Sequence, residues 1–189
     1  MIKIVQKEDG ILRQKAKEIP ICEITSPKIK RILKEMSSAL KGQEDGVAIA
    51  ALQIGYPLSI FVVSGKIFDK EFMANREQRF SGEKEVDDVV KVNKKTKDVI
   101  FINPKISKLS RDKDWLPEGC LSVRWLYGKT YRSKKAMITA YNEKGEKFQR
   151  GASGLLAQIF QHETDHLKGI LFIDHAKDIK EELPAEKNA

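Results

Sequence analysis

Cysteine, histidine and long apolar runs are all scarce in this sequence, and each scarcity excludes something. The 189 residues hold two cysteines, Cys22 and Cys120, far apart along the chain. That count argues against a disulfide framework, so each thiol needs its own explanation. No apolar run approaches the roughly 18–20 residues that a membrane-spanning helix requires. The opening Met1-Ile2-Lys3-Ile4-Val5-Gln6-Lys7 lacks the apolar stretch and cleavage site of a secretory signal. The expectation is a cytoplasmic protein without membrane contact. Aromatic residues make up 7% of the chain. The basic residues gathered at Arg124, Lys129, Arg132, Lys134 and Lys135 have no regularly spaced aromatics to stack bases, so no specific nucleic-acid motif is present. The net charge of +8 is compatible with work beside an anionic body such as a ribosome. Lys and Glu nevertheless alternate along most of the chain, as they do on a solvated surface.

What is present describes an ordinary globular chain of one domain, with 41% hydrophobic and 33% charged residues. Ser26-Pro27 followed by Ile29, Ile32, Leu33, Met36 and Leu40 predicts a capped amphipathic helix over 27–41. A small, apolar segment follows at 46–55, then strand-like Leu58–Val63. Residues from about 65 to 98 turn highly charged and are expected to form a surface excursion with a short hairpin of its own. Val99–Pro104 returns to a buried strand, and 135–150 reads as a hairpin turning at Asn142-Glu143-Lys144-Gly145. The segment 153–167 is the clearest helix: Leu155, Ile159, His162 and His166 share one face, and Gly169 stands where a helix stops. The tail, 177–189, is expected to be frayed or loosely helical. Cys22, in Ile21-Cys22-Glu23-Ile24, reads as a small, part-buried hydrophobe.

Two of the three histidines fall in His162-Glu163-Thr164-Asp165-His166. Histidines four apart on a helix lie on one face, one turn apart, so both imidazoles can reach one divalent metal while the glutamate lies beside it as an acid/base. A catalytic site needs a third ligand and an open position for water. A third histidine three residues beyond Gly169 is ruled out, because that position is Phe172. The downstream glutamates lie in the charged tail, and His175 follows the helix stop and reads as a surface residue. The better candidate lies upstream, where a turn at Glu118-Gly119-Cys120-Leu121-Ser122 can present a thiolate.

Three blocks, Gly46-Val47-Ala48-Ile49-Ala50-Ala51-Leu52-Gln53, Glu118-Gly119-Cys120-Leu121-Ser122 and Gln161-His162-Glu163-Thr164-Asp165-His166, resemble the signature motifs of peptide deformylases. The likeness extends to Ile11-Leu12-Arg13, Asn103-Pro104 and the stretch from Leu167 to Asp174. It implies an α+β fold in which small antiparallel sheets surround a central metal-binding helix, and a single catalytic domain over 1–189. It also implies removal of the formyl group from the N-terminal formyl-methionine of nascent peptides. Cys120, His162 and His166 would bind Fe(II), replaceable by zinc or nickel. Glu163 would be the acid/base, and Gln53 with the Leu121 N–H would stabilise the oxyanion. Gly46, Val47, Ala48, Glu118, Gly119 and Leu155 would shape the substrate site, and Arg132 would pair with Glu118. Departures stand at Ala48, where the motif usually has glycine, at Leu52, and at Arg124-Trp125. They leave open a deformylase relative with altered substrate. A small metallopeptidase and a non-enzymatic ribosome- or RNA-binding relative are the rival readings.

Overall fold

The computed structural model describes residues 2–74 and 96–183. Ser26 caps helix α1 (Pro27–Lys41), its hydroxyl accepting from the Ile29 N–H, and Ile29, Ile32, Leu33, Met36 and Leu40 form the buried stripe that their spacing predicts. Strands β1 (Ala48–Ala50), β2 (Ile60–Val63), β3 (Val99–Ser107), β6 (Lys135–Tyr141) and β7 (Lys147–Ser153) form one antiparallel sheet in the order β1-β2-β3-β6-β7. Strands β4 (Lys113–Gly119), β5 (Leu126–Ser133) and β8 (Lys177–Glu181) form a second, also antiparallel. Helix α2 spans Gly154–His166. This is the expected α+β arrangement of small antiparallel sheets around a central helix.

The five-stranded sheet is buried on both faces where β2 and β3 run. Alternation sends Phe61, Val63 and Phe101 toward α2, and Ile60, Val62 and Ile102 toward α1. Phe61 and Phe101 stack at 4.6 Å, and Phe160 of α2 meets Phe101 edge-on at 5.2 Å. Each such side chain contributes about 1.5–3 kcal/mol by leaving water, so the strongest apolar packing lies under the helix that carries the histidines.

Strand β7 runs into α2 without a loop: Ser153 ends the strand and is also the residue before the first helical turn, and Gly154 makes the junction at φ +55°. At the other end Gly169 (φ +76°) occupies the expected stop, where a side chain would collide with the Arg13 backbone. The 135–150 hairpin turns at Asn142–Gly145, with the Asn142 side chain accepting from the Lys144 and Glu146 N–H groups.

Three expectations change. The tail is neither frayed nor helical over Lys177–Glu181, which pairs with β5 as an edge strand. All five of its side chains are exposed, so its order comes from backbone pairing and leaves no apolar period in the sequence. The strand foreseen at 99–104 continues to Ser107 through an irregularity between Ile102 and Lys105. There Asn103 (φ +49°) turns its amide to bond both the N–H and the C=O of Ile19. Cys22 is exposed rather than part-buried, on a short 3-10 turn whose buried neighbour is Ile24. Residues 75–95 of the charged excursion, for which a short hairpin was expected, lie outside the described residues, as does 184–189 of the tail. No helix among the described residues is long and apolar enough to cross a membrane.

Candidate metal centre and substrate groove

Helix α2 sets His162 and His166 one turn apart, with ring centroids 4.8 Å from each other. Cys120 stands in the turn that follows β4, its Sγ 3.2 Å from His166 Nε2. One ligand atom from each of the three residues lies within 4.8 Å of the other two. Tetrahedral coordination with metal–sulfur and metal–nitrogen bonds of about 2.3 and 2.05 Å would hold the same atoms about 3.3–3.6 Å apart. The donor set and its spacing therefore fit a divalent ion. Because a thiolate and neutral imidazoles bind, uptake of the ion would release protons.

The surroundings fix the rings. His162 Nδ1 lies 3.4 Å from Glu118 Oε2, leaving its other nitrogen for a metal. Arg132 grips Glu118 through Nε and Nη2 at 3.1 and 3.0 Å, as expected, and its Nη1 bonds Asp165 on α2. Burial opposes the charged form of Glu118, but the bonds with His162 and Arg132 outweigh it and hold the carboxyl well below the usual carboxylate range. Burial likewise disfavours imidazolium at both histidines. Cys120 and Glu118 offset this at His162, which is raised well above its ordinary value, whereas His166 is left well below. Gln161 ties α2 to β5 by bonding both the N–H and C=O of Ser133.

Glu163 is 3% exposed, and its Oε2 has no hydrogen-bond partner among the described residues. Burial pushes its pKa up to about 7, with His162 pulling down and Glu118 adding to the rise. Gln53, buried in the 3-10 turn Ala51–Ile54, accepts from the Ala50 N–H and donates to Ser122 Oγ at 3.1 Å; its Nε2 lies 3.5 Å from Cys120 Sγ. The Leu121 N–H has no hydrogen-bond partner among the described residues.

A groove of about 1370 Å³ opens over these atoms. Gly46, Val47, Ala48, Glu118, Gly119, Cys120 and Leu121 line it. Leu155, His162 and Glu163 complete it. Every residue expected at the substrate site thus reaches the groove. Gly119 leaves room for the Tyr127 ring, which a methyl there would meet at 2.6 Å. Of the two departures in the first block, Ala48 lines the groove, whereas Leu52 is fully buried in the core and away from it. Arg124 is tied to Asp45 at 2.6 and 2.9 Å and joins the groove wall with Trp125. His175 is exposed, as its position after the helix stop suggested. The sequence reading missed Gln6, Ser122 and Asp165. Their partners lie 115, 69 and 33 residues away, and no local pattern marks such contacts.

Comparison with known proteins matches residues 1–182 to the family described as polypeptide deformylase. Peptide deformylase 2 of Clostridium acetobutylicum is 37% identical over 167 residues, covering 88% of this chain and 89% of that protein. A peptide deformylase of Desulforudis audaxviator is 33% identical over 179 residues, 95% of this chain and 96% of that one. Among solved structures, peptide deformylase 1B of Arabidopsis thaliana in complex with an inhibitor superposes with a TM-score of 0.72 at 31% identity, covering 93% of this chain and 82% of that one.

Proposed function

From the premise that the chain belongs to the polypeptide deformylase family, we propose how its own residues carry out the family's reaction. That reaction is the metal-dependent hydrolysis of the N-terminal formyl group of nascent polypeptides, which yields formate and a free amine. Cys120, His162 and His166 hold the ion, Fe(II) being the reading for the native metal with zinc or nickel as substitutes. The ion supplies Lewis acidity, bringing the pKa of a water toward about 7 and polarising a carbonyl.

The remaining work falls to side chains and backbone. Glu163 takes the proton from the attacking water and delivers it to the departing amine nitrogen as the C–N bond breaks. Its burial suits a carboxyl that must change protonation state during turnover. Gln53 Nε2 and the Leu121 N–H face the position where the formyl oxygen gains negative charge, and one such donor is worth about 10²–10³ in rate. The substrate lies extended along the edge of β1, which among the described residues pairs only with β2, so the peptide adds as a strand. Gly46, Val47, Ala48 and Leu155 shape the pocket for its methionine side chain. Glu118 and Gly119 complete the lining, Glu118 also orienting His162. Residues 1–189 act as one catalytic domain on formylated nascent chains in the cytoplasm, beside the ribosome.

The observation that carries this reading is the convergence of one thiol and two imidazoles within 4.8 Å next to a buried carboxylate whose Oε2 has no hydrogen-bond partner among the described residues. The test measures formate release from formyl-Met peptides by anaerobically purified protein, alongside Glu163→Ala. The expected result is turnover by the wild type and a loss of about 10³-fold or more in the variant. A wild type that carries its metal yet releases no formate defeats the assignment.

A further inference from the structure

The groups assigned above to the oxyanion, Gln53 and the Leu121 N–H, come from segments 68 residues apart, and neither belongs to a long regular element. Gln53 sits in a four-residue 3-10 turn, and Leu121 sits in the turn between β4 and β5. Both are tied to the same third segment, near the chain's start. The Val5 N–H donates to the Gln53 carbonyl at 2.9 Å. The neighbouring Gln6 side chain donates from Nε2 to the Leu121 carbonyl at 3.1 Å and accepts at Oε1 from the Arg124 N–H at 3.3 Å. Gln6 Nε2 also reaches the Ile4 carbonyl at 3.3 Å, which anchors the amide to its own strand of chain. One part-buried primary amide therefore uses its donor and its acceptor on two residues of a single turn.

We propose that Gln6 is a positioning residue for deformylation. Together with the Val5 N–H, it sets the separation and orientation of the two oxyanion donors. The proposal rests on the assignment of Gln53 and Leu121 to that role. The physical reason is that Leu52, Leu121 and Val123 anchor both turns in the core, but apolar packing follows buried area and does not by itself fix how a peptide plane is oriented. The backbone planes take the orientation their hydrogen bonds impose, and displacement of a catalytic group by about 1 Å costs up to about a hundredfold in rate. The hydrogen bonds of the Gln6 side chain among the described residues go to Ile4, Leu121 and Arg124 and not to the three ligand atoms or Glu163, so its effect should appear in the chemical step and not in metal uptake.

The test compares Gln6→Met and Gln6→Glu with the wild-type metalloenzyme on formyl-Met peptides, with metal content and Tm measured for each. Methionine keeps the volume and removes both bonds. Glutamate keeps the acceptor for Arg124 but replaces the donor that faces the Leu121 carbonyl. The expected result is a drop in kcat of about tenfold in both variants, with KM within about twofold and the metal fully retained. A lowered Tm with unchanged kcat per metal-loaded site assigns Gln6 to stability and overturns the proposal. So does loss of the metal, or failure of both variants to fold. Gln53→Ala is measured in parallel: an unchanged kcat there removes the oxyanion assignment itself. A normal defect in Gln53→Ala beside unaffected Gln6 variants refutes the positioning role alone.

Discussion

The two sheets are held by opposite chemistry. The five-stranded sheet buries phenylalanine and aliphatic side chains on both faces of β2 and β3, and polar groups there are few. The three-stranded sheet turns Glu118, Thr130 and Arg132 inward, each less than 7% exposed, and leaves Trp115 and Tyr131 on its outside, 38% and 53% exposed. Apolar packing tolerates small shifts, because its energy follows the area removed from water. Buried ion pairs do not, because a charge left unpaired in the interior costs several kcal/mol. The comparison shows a division of labour in which the first sheet keeps α2 in place and the second aims the thiol and one imidazole.

The largest expected effect tests the first half of that contrast. Phe101→Ala should lower stability by about 3–5 kcal/mol in urea unfolding, while kcat of the folded fraction stays near the wild-type value. A kcat that falls with stability would show that the aromatic cluster also tunes the site. Glu118→Gln should cost less, about 2 kcal/mol, because the amide keeps part of the Arg132 contact. Unlike Phe101→Ala, it should reduce the metal retained after dialysis, and a variant with full metal and full kcat would erase the distinction between the sheets. Stripping the metal with a chelator should speed amide exchange about tenfold across 120–126 and the last turn of α2, leaving β2, β3 and β6 protected. Uniform acceleration would mean that the two regions open together.

The smallest effect belongs to the exposed pair Arg13–Asp174, in which Arg13 holds the Asp174 carboxyl below the usual carboxylate range. A depressed folded-state pKa contributes stability above the unfolded value and loses it as pH falls through the folded one. Arg13→Ala should therefore lower stability by no more than about 1 kcal/mol at pH 7. The gap should close as the carboxyl protonates in acid, which thermal melts at several pH values would show.

The same contrast explains what could be read from the residues alone. Helices α1 and α2 were legible because apolar residues recur at helical spacing, in α1 behind a serine cap and in α2 ahead of a glycine stop. The β6–β7 turn was legible because Asn142 and Gly145 have turn chemistry. The paired histidines follow from their spacing, and the structure brings Cys120 to them. Strands β4, β5 and β8 left no such trace. Leu116 and Glu118 share the inward face of β4, Pro117 interrupts it, and their register partners on β5 are Thr130 and Gly128, so apolar alternation never appears. Buried charges that satisfy one another across a sheet look, in sequence, like a solvated surface. Gln53 could be singled out only through family resemblance. Gln6 bonds a turn more than a hundred residues away and could not be singled out at all.

The loop-free passage from β7 into α2 makes the site intolerant of changes in chain length at one place. Each residue added between Ser153 and His162 would rotate the imidazoles by about 100° around the helix axis, because no slack exists to absorb the change before the first turn. The Asn142–Gly145 turn, only about ten residues earlier, lies at the far end of its hairpin and can lengthen without moving anything near the metal ligands. Tags or inserted peptides belong there, while a single alanine placed after Gly154 should leave a folded sheet unable to hold the ion.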